Sequence, residues 1–244
     1  MESLLEFEAP SFRNAKAGTQ LSASVALHLR EKIMSGLLKP GDFLRIDAIA
    51  HELGISTTPV REGLLLLQSE SFVRLLPRRG FVVNSFTKED IRDIFWAQAI
   101  IGAELAARAT LKLTPEEFEK LAKLDAEHDH AFKENDERHI RLGYEFHRFI
   151  NLAADSPRLA ILLGTLSKQL PIGFYASIEG HACDTLQYHP LILDAMRIKD
   201  AEAVRSLMFR HIMSGSDRLI ESLERSGGLP ADDASSTASD NNSA

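Results

Sequence analysis

The chain has a single cysteine in 244 residues, Cys183, so no intrachain disulfide is possible. No apolar run comes near the ~18 residues that a spanning helix needs, and the stretch from Ile161 to Leu166 is broken by Gly164. The N-terminal MESLLEFEAP has no basic segment leading into an apolar one, and the sequence contains neither a phosphate-cradling glycine loop nor a nucleophile elbow. These absences exclude a disulfide-stapled fold, a membrane-spanning helix and two large classes of enzyme. They set the expectation of a cytoplasmic protein with no membrane partner.

Apolar material is sufficient for a core, since 44% of the residues are hydrophobic. The length suits one or two domains, and two are expected. The net charge of -7 argues against a nucleic-acid partner only when averaged over the whole chain. Residues 13–86 carry ten Lys or Arg against six Asp or Glu, a net of +4, whereas residues 87–225 carry 18 against 23. The remaining acidity lies at the two ends, in Glu2, Glu6, Glu8, Asp232, Asp233 and Asp240. A basic N-terminal part suits a DNA contact and suits an ordinary solvated surface equally well, so the motifs have to decide.

Residues 1–20 lack sustained periodicity, and residues 226–244 are small, polar and acidic, so both ends are expected to be disordered. A joint is expected at Ser85 to Lys88, where a strand-like run gives way to a helix start at Thr87, Glu89 and Asp90. It separates a domain at 21–86 from one at 87–225. In the first, Val25, Leu29, Ile33 and Met34 recur at helical spacing before the stop at Gly36. Asp47 reads as the N-cap of a short helix over 48–53 that Gly54 ends, and Ser56 as the cap of a helix running through Arg61 to about Glu70. Pro59 falls in its first turn, where a missing N–H does no harm. Two β-prone runs, 72–76 and 81–84, flank Pro77-Arg78-Arg79-Gly80 and predict a hairpin with a basic tip. From Thr87 to Leu223 the periodicity is helical throughout, broken at Leu113-Thr114-Pro115, Asp155-Ser156-Pro157 and Lys199-Asp200. The fold expected is therefore mainly α: a three-helix winged helix-turn-helix, then an all-α bundle of six or seven helices.

A short helix, a glycine turn and a second helix with polar and basic residues at its start allow that second helix to enter a major groove. Its first turn presents Ser56, Thr57, Thr58 and Arg61. An arginine suits a guanine edge, hydroxyls and backbone amides suit phosphates, and Arg78, Arg79 and Gly80 at the hairpin tip suit the neighbouring backbone or minor groove. Leu64, Leu65 and Leu67 are expected to fix the helix to its domain.

The residues Leu37 to Gly41, the run Ala50-His51-Glu52-Leu53-Gly54-Ile55-Ser56-Thr57-Thr58-Pro59-Val60-Arg61-Glu62-Gly63-Leu64, and Arg79-Gly80-Phe81-Val82-Val83 together resemble the signature of GntR-family regulators. The second domain is similar to the FCD type of that family, and the likeness spans roughly residues 20–224. It implies a homodimer on a short palindromic operator, controlled by a small metabolite such as an organic or sugar acid, with repression relieved by ligand as the common outcome. It also exposes two departures: Thr57 and Asp47 stand where relatives commonly carry basic residues. Arg61 keeps its role, Arg45 is expected to restore part of the lost charge, and an atypical operator or weaker binding at physiological salt follows.

Three histidines lie on apolar stripes of the second domain: His147 with Tyr144 and Ile150, His189 ahead of Pro190, Leu191 and Ile192, and His211 with Val204, Leu207 and Met208. Taken singly, each reads as a buried, hydrogen-bonded histidine. The resemblance implies a metal site, because FCD-type regulators hold an ion with one carboxylate and three histidines of similar spacing. Zn²⁺ or another divalent ion on His147, His189 and His211, completed by water or effector, is the form expected, with a metal-free pocket as the alternative. Gly143 stands where the family carboxylate would be, Gln98 matches a common arginine and Gly102 a common glutamate. With Tyr144 these residues are expected to line an effector pocket that is larger and more neutral than in relatives. His128, His130 and His139 read as a solvated helix end, and His181 with Cys183 as a loop. Two rival functions remain at this stage: a metal-dependent hydrolase using the three histidines, weakened by the lack of an evident carboxylate base beside them, and a DNA-binding dimer with no effector.

Overall fold

A computed structural model describes residues 18–170, 183–226 and 229 of the chain. The described residues divide into two compact units, one comprising those up to Thr87 together with those from Leu223 onward, the other those between Lys88 and Ser222.

The first unit begins with α1, Gly18–Met34, followed by β1 (Phe43–Leu44), α2 (Ile46–Leu53), α3 (Thr57–Ser69), β2 (Val73–Leu76) and β3 (Gly80–Val83). Residues 18–20, expected to be disordered, are thus helical; residues 1–17 and 230–244 lie outside the described residues. The strands form an antiparallel sheet in the order β1-β3-β2, with Leu44 opposite Phe81 and Arg74 opposite Val82. Two residues of β1 escape a period-two search, yet they move the start of α2. With Leu44 held in the sheet, extended Arg45 becomes the N-cap, so Asp47 lies inside the first turn rather than at the cap. Gly54 ends α2 with φ 66, the left-handed conformation that glycine tolerates best.

Ser56 is the N-cap of α3, although its hydroxyl makes no capping bond. The face of α3 turned inward is Val60, Gly63, Leu64 and Leu67, and Leu65, one 100° step off that stripe, is 48% exposed instead of anchoring the helix. At Gly63 a Cβ would come within 2.9 Å of both the Ser22 carbonyl and Val25 Cγ1, so α1 and α3 meet without a side chain between them. Arg30 on α1 is buried, paired with Glu70 past the end of α3, and its guanidinium lies 5.6 Å from the centre of the Phe72 ring. Phe72 in turn stacks on Phe86 with centroids 5.2 Å apart.

The second unit is built on six helices among the described residues: α4 (Lys88–Lys112), α5 (Pro115–Lys133), α6 (Arg138–Ala153), α7 (Pro157–Ser167), α8 (Cys183–Arg197) and α9 (Ala201–Ser226), the last of which ends in residues, from Leu223 on, that count with the first unit. Their ends follow local chemistry. The Thr114 hydroxyl accepts from the Glu117 N–H at 3.2 Å, while the Glu117 carboxylate accepts from the Thr114 N–H at 3.0 Å, and Pro115 takes the first helical position. The core is built from Leu105, Ala106 and Ala109 of α4, Leu121 of α5, Phe146 and Ile150 of α6, Ile192 and Met196 of α8, and Val204 and Met208 of α9. Alanines on α4 supply the thin face against which α6 and α7 pack.

Candidate DNA-reading surface and histidine centre

Of the residues expected to meet DNA, Arg45, Ser56, Thr57, Thr58, Arg61, Arg78 and Arg79 are exposed and Gly80 is half-buried. Ser56 to Thr58 form the opening of α3 and Arg61 follows one turn later, on the face opposite the stripe that packs into the unit. The hairpin tip is a tight turn in which the Arg79 N–H donates to the Leu76 carbonyl at 3.1 Å. Pro77 takes its second position and Arg78, with φ 65, its third, where a left-handed residue is required. Arg45, Arg61, Arg78 and Arg79 enter no ion pair among the described residues, whereas Arg30, Arg92, Arg108 and Arg205 do. Exposed guanidinium groups without an ion pair thus stand on α3, at the start of α2 and at the hairpin tip, chemistry suited to phosphate oxygens and base edges.

In the helical unit, α6, α8 and α9 bring His147, His189 and His211 together, one ring nitrogen from each lying within 4.8 Å of the others. The His147 and His211 rings stack at 11° and place their Nε2 atoms 3.2 Å apart. His189 crosses both edge-on, at 5.3 and 5.0 Å between centroids, and is itself stacked on Phe146 at 4.0 Å. Its Nδ1 lies 2.8 Å from Oδ1 of Asp125 on α5. His189 Nε2 and His211 Nδ1 are buried without a hydrogen-bond partner.

Burial lowers the pKa of His147 to about 4, with nearby His128 pushing the same way and Asp125 opposing. His189 is held well below the ordinary imidazole value by the same loss of solvent and then by His147 and His128, and His211 by loss of solvent and then by His189 and His147. Asp125 is pushed up to about 6 by burial, and His128 pulls it back only in part. At neutral pH the three rings are uncharged and each keeps a lone pair, the form in which imidazole binds a metal. A tetrahedral ion with Zn–N bonds of 2.0–2.1 Å spaces its ligand nitrogens about 3.3–3.4 Å apart, close to the 3.2 Å between His147 and His211. The donor set and the unpartnered His189 Nε2 fit a divalent ion.

Several expectations are corrected. His128 does not belong to a solvated helix end: it is 1% exposed, its ring lies 5.6 Å from that of His189, and with Asp125 and His189 it forms a second close group. His139 is half-buried, its Nδ1 2.7 Å from the Asp136 carbonyl oxygen, so only His130 of those three is exposed. The spacing Leu121, Asp125, His128, Ala131 puts His128 on the buried stripe of α5 and was the signal available in the sequence. The carboxylate thought to be missing beside the histidines is present, but as Asp125 on another helix.

Gly102 does not enlarge a cavity, because Ile212 fills its space, with Cδ1 only 2.7 Å from where a Cβ would stand. Tyr144 is 61% exposed and so turns away from the face that buries Gly143 and Phe146. Gln98 is buried and donates to the Leu166 carbonyl at 3.4 Å. Cys183 opens α8 rather than sitting in a loop, and His181 lies outside the described residues. A surface groove of about 470 Å³ between α4 and α9 contains none of these histidines, and its Glu104 is already paired with Arg108 and Arg205.

Residues 21–83 match the family described as bacterial regulatory proteins of the gntR family, and residues 93–214 match the FCD domain. The chain is 28% identical over 190 residues to the HTH-type transcriptional regulator McbR of Escherichia coli, an alignment covering 76% of this chain and 86% of that one. The gluconate operon transcriptional repressor of Bacillus subtilis is 35% identical over 113 residues, 46% of this chain and 40% of the repressor. Among solved structures, E. coli McbR/YncC superimposes with a TM-score of 0.60 at 25% identity, covering 83% of this chain and 98% of that one. Among the described residues no helix is long and apolar enough to cross a membrane. With a winged helix-turn-helix in one unit and a helical bundle in the other, the chain belongs to the GntR family of DNA-binding transcriptional regulators, in the group with an FCD domain, and is not an enzyme.

Proposed function

We propose that this regulator is a ligand-responsive repressor that binds a short inverted-repeat operator as a homodimer in the cytoplasm and answers to a small organic or sugar acid in its helical unit. In this reading Ser56, Thr57 and Thr58 meet phosphates and base edges, Arg61 reads a guanine, Arg45 adds backbone charge, and Arg78, Arg79 and Gly80 reach the adjacent groove. His147, His189 and His211 would hold Zn²⁺ or a similar ion, which would supply Lewis acidity toward an anionic effector. The observation that carries the reading is the convergence of three neutral imidazoles from three helices in the helical unit of a GntR-family chain. A relative named as a repressor of a gluconate operon supports repression. The effector's influence reaches the wing through the short link between β3, which ends at Val83, and α4, which starts at Lys88.

The test is selection of bound duplexes from a randomised pool with the full chain, followed by fluorescence anisotropy on the selected sequence with and without Zn²⁺ and a panel of hydroxy and sugar acids. An enriched inverted repeat whose affinity falls with added acid supports the proposal. Enrichment with no response to metal or acid would reduce it to a DNA-binding dimer without an effector.

A further inference from the structure

The histidine trio has no carboxylate on α6, where Gly143 stands, but one reaches it from α5. Asp125 Oδ1 lies 2.8 Å from His189 Nδ1, and His189 is 1% exposed. That distance is the length of an N–H···O bond to an ionised acceptor, shorter than the spacing of about 3.3 Å between two ligands of one ion. A neutral imidazole carries one ring proton, so a ring that donates through Nδ1 keeps its lone pair on Nε2. Nε2 of His189 is the buried atom left without a partner.

Resting on the reading of His147, His189 and His211 as metal ligands, we infer that Asp125 is the outer carboxylate of that centre: it holds His189 by Nδ1–H and so presents Nε2 to the ion. The arrangement does the two things an outer-shell carboxylate does. It fixes the ring's tautomer and orientation, and it places a buried negative charge one ring away from the cation, raising the basicity of the ligating nitrogen. Asp125 is thus a positioning residue. It accounts for a three-histidine centre that can work with glycine at position 143: the anionic partner is kept but acts through a ligand.

The same Asp125 also groups with His128 and His189 within 4.8 Å, which raises the question of a second ion. The two groups share His189, and a ring that donates through Nδ1 has a single lone pair, on Nε2, which the trio already uses. The assignment is therefore one ion per chain, with His128 outside its coordination.

The experiment is a zinc titration of the full-length, chelator-stripped protein against a chromophoric competitor, for the wild type, Asp125→Asn and His128→Gln. It is accompanied by ¹⁵N-imidazole NMR of the metal-free wild type, which reads the His189 tautomer directly. The expected result is one zinc per wild-type chain, a 10- to 100-fold weaker Kd in Asp125→Asn at unchanged stoichiometry and helical content, unchanged stoichiometry in His128→Gln, and an Nδ1–H tautomer at His189. Wild-type uptake with an unaltered Kd in Asp125→Asn, or an Nε2–H tautomer, would overturn this assignment alone. Two zinc ions per chain, one lost in His128→Gln, would also overturn it. No zinc uptake by the wild type would overturn the metal reading itself and this assignment with it. Should Asp125→Asn fail to fold, the tautomer in the wild type still decides.

Discussion

Replacing His147 with glutamine should change how the metal-free helical unit responds to acid. Burial holds the His147 pKa at about 4 against an ordinary 6.5. Between those values the unfolded chain takes up a proton that the folded chain refuses, so this group's contribution to stability is full above pH 6.5 and is lost as pH falls toward 4. Relative to neutral pH, the two values imply a loss on the order of 1 kcal/mol at pH 5.5 that grows to roughly 2–3 kcal/mol at pH 4.5. His189 and His211 shift in the same direction, while Asp125, raised to about 6, works the other way and stabilises the folded chain as pH falls from 6 toward 3.8. The total slope mixes all four groups, so the informative quantity is the difference between wild type and variant. Urea unfolding in the presence of a chelator at pH 7.5, 5.5 and 4.5, followed by the fluorescence of Trp96, the only tryptophan and a residue of α4, supplies it. His147→Gln should gain on the wild type by roughly 1 kcal/mol at pH 5.5 and roughly 2–3 kcal/mol at pH 4.5. Parallel stability curves for the two proteins would refute the argument that His147 is buried in its neutral form.

Three other outcomes follow from the geometry. Gly63→Ala puts a methyl 2.9 Å from the Ser22 carbonyl and from Val25 Cγ1, an overpacking that should lower stability by about 1–3 kcal/mol in a thermal melt; an unchanged melting temperature would contradict the close approach of α1 and α3. Arg78→Gly relieves the left-handed backbone at φ 65 and should leave the unit as stable or up to about 1 kcal/mol more so, while DNA affinity falls and the slope of log K against log salt decreases by about 1; unaltered salt dependence would remove Arg78 from the DNA surface. Thr114→Ala deletes the hydroxyl arm of the α5 capping box and should cost about 1 kcal/mol in chemical denaturation.

The winged helix-turn-helix was legible because its punctuation is local: Gly54 demands a left-handed cap, Pro77 fits the second position of a tight turn, and helical periodicity fills the intervals. The two residues of β1 were not legible, since a strand that short has no periodicity of its own and exists only through its pairing with β3. That pairing shifted the α2 cap from Asp47 to Arg45. The three histidines were picked out by their apolar stripes, but what surrounds them depends on tertiary packing. Asp125 and His128 sit in a stretch with Glu127, Asp129 and His130 that looks wholly solvated until one face of α5 is turned inward. Gly102 suggested empty space, and only the packing of α9 shows that Ile212 occupies it.

The contact at Gly63 also restricts how this regulator can be controlled. With the Ser22 carbonyl and Val25 occupying the volume a side chain would need at Gly63, and Arg30 paired with Glu70 beyond the end of α3, α1 and α3 are held together at two places. A shift of α3 against α1 would give up both contacts. A change that carries the two helices together keeps both.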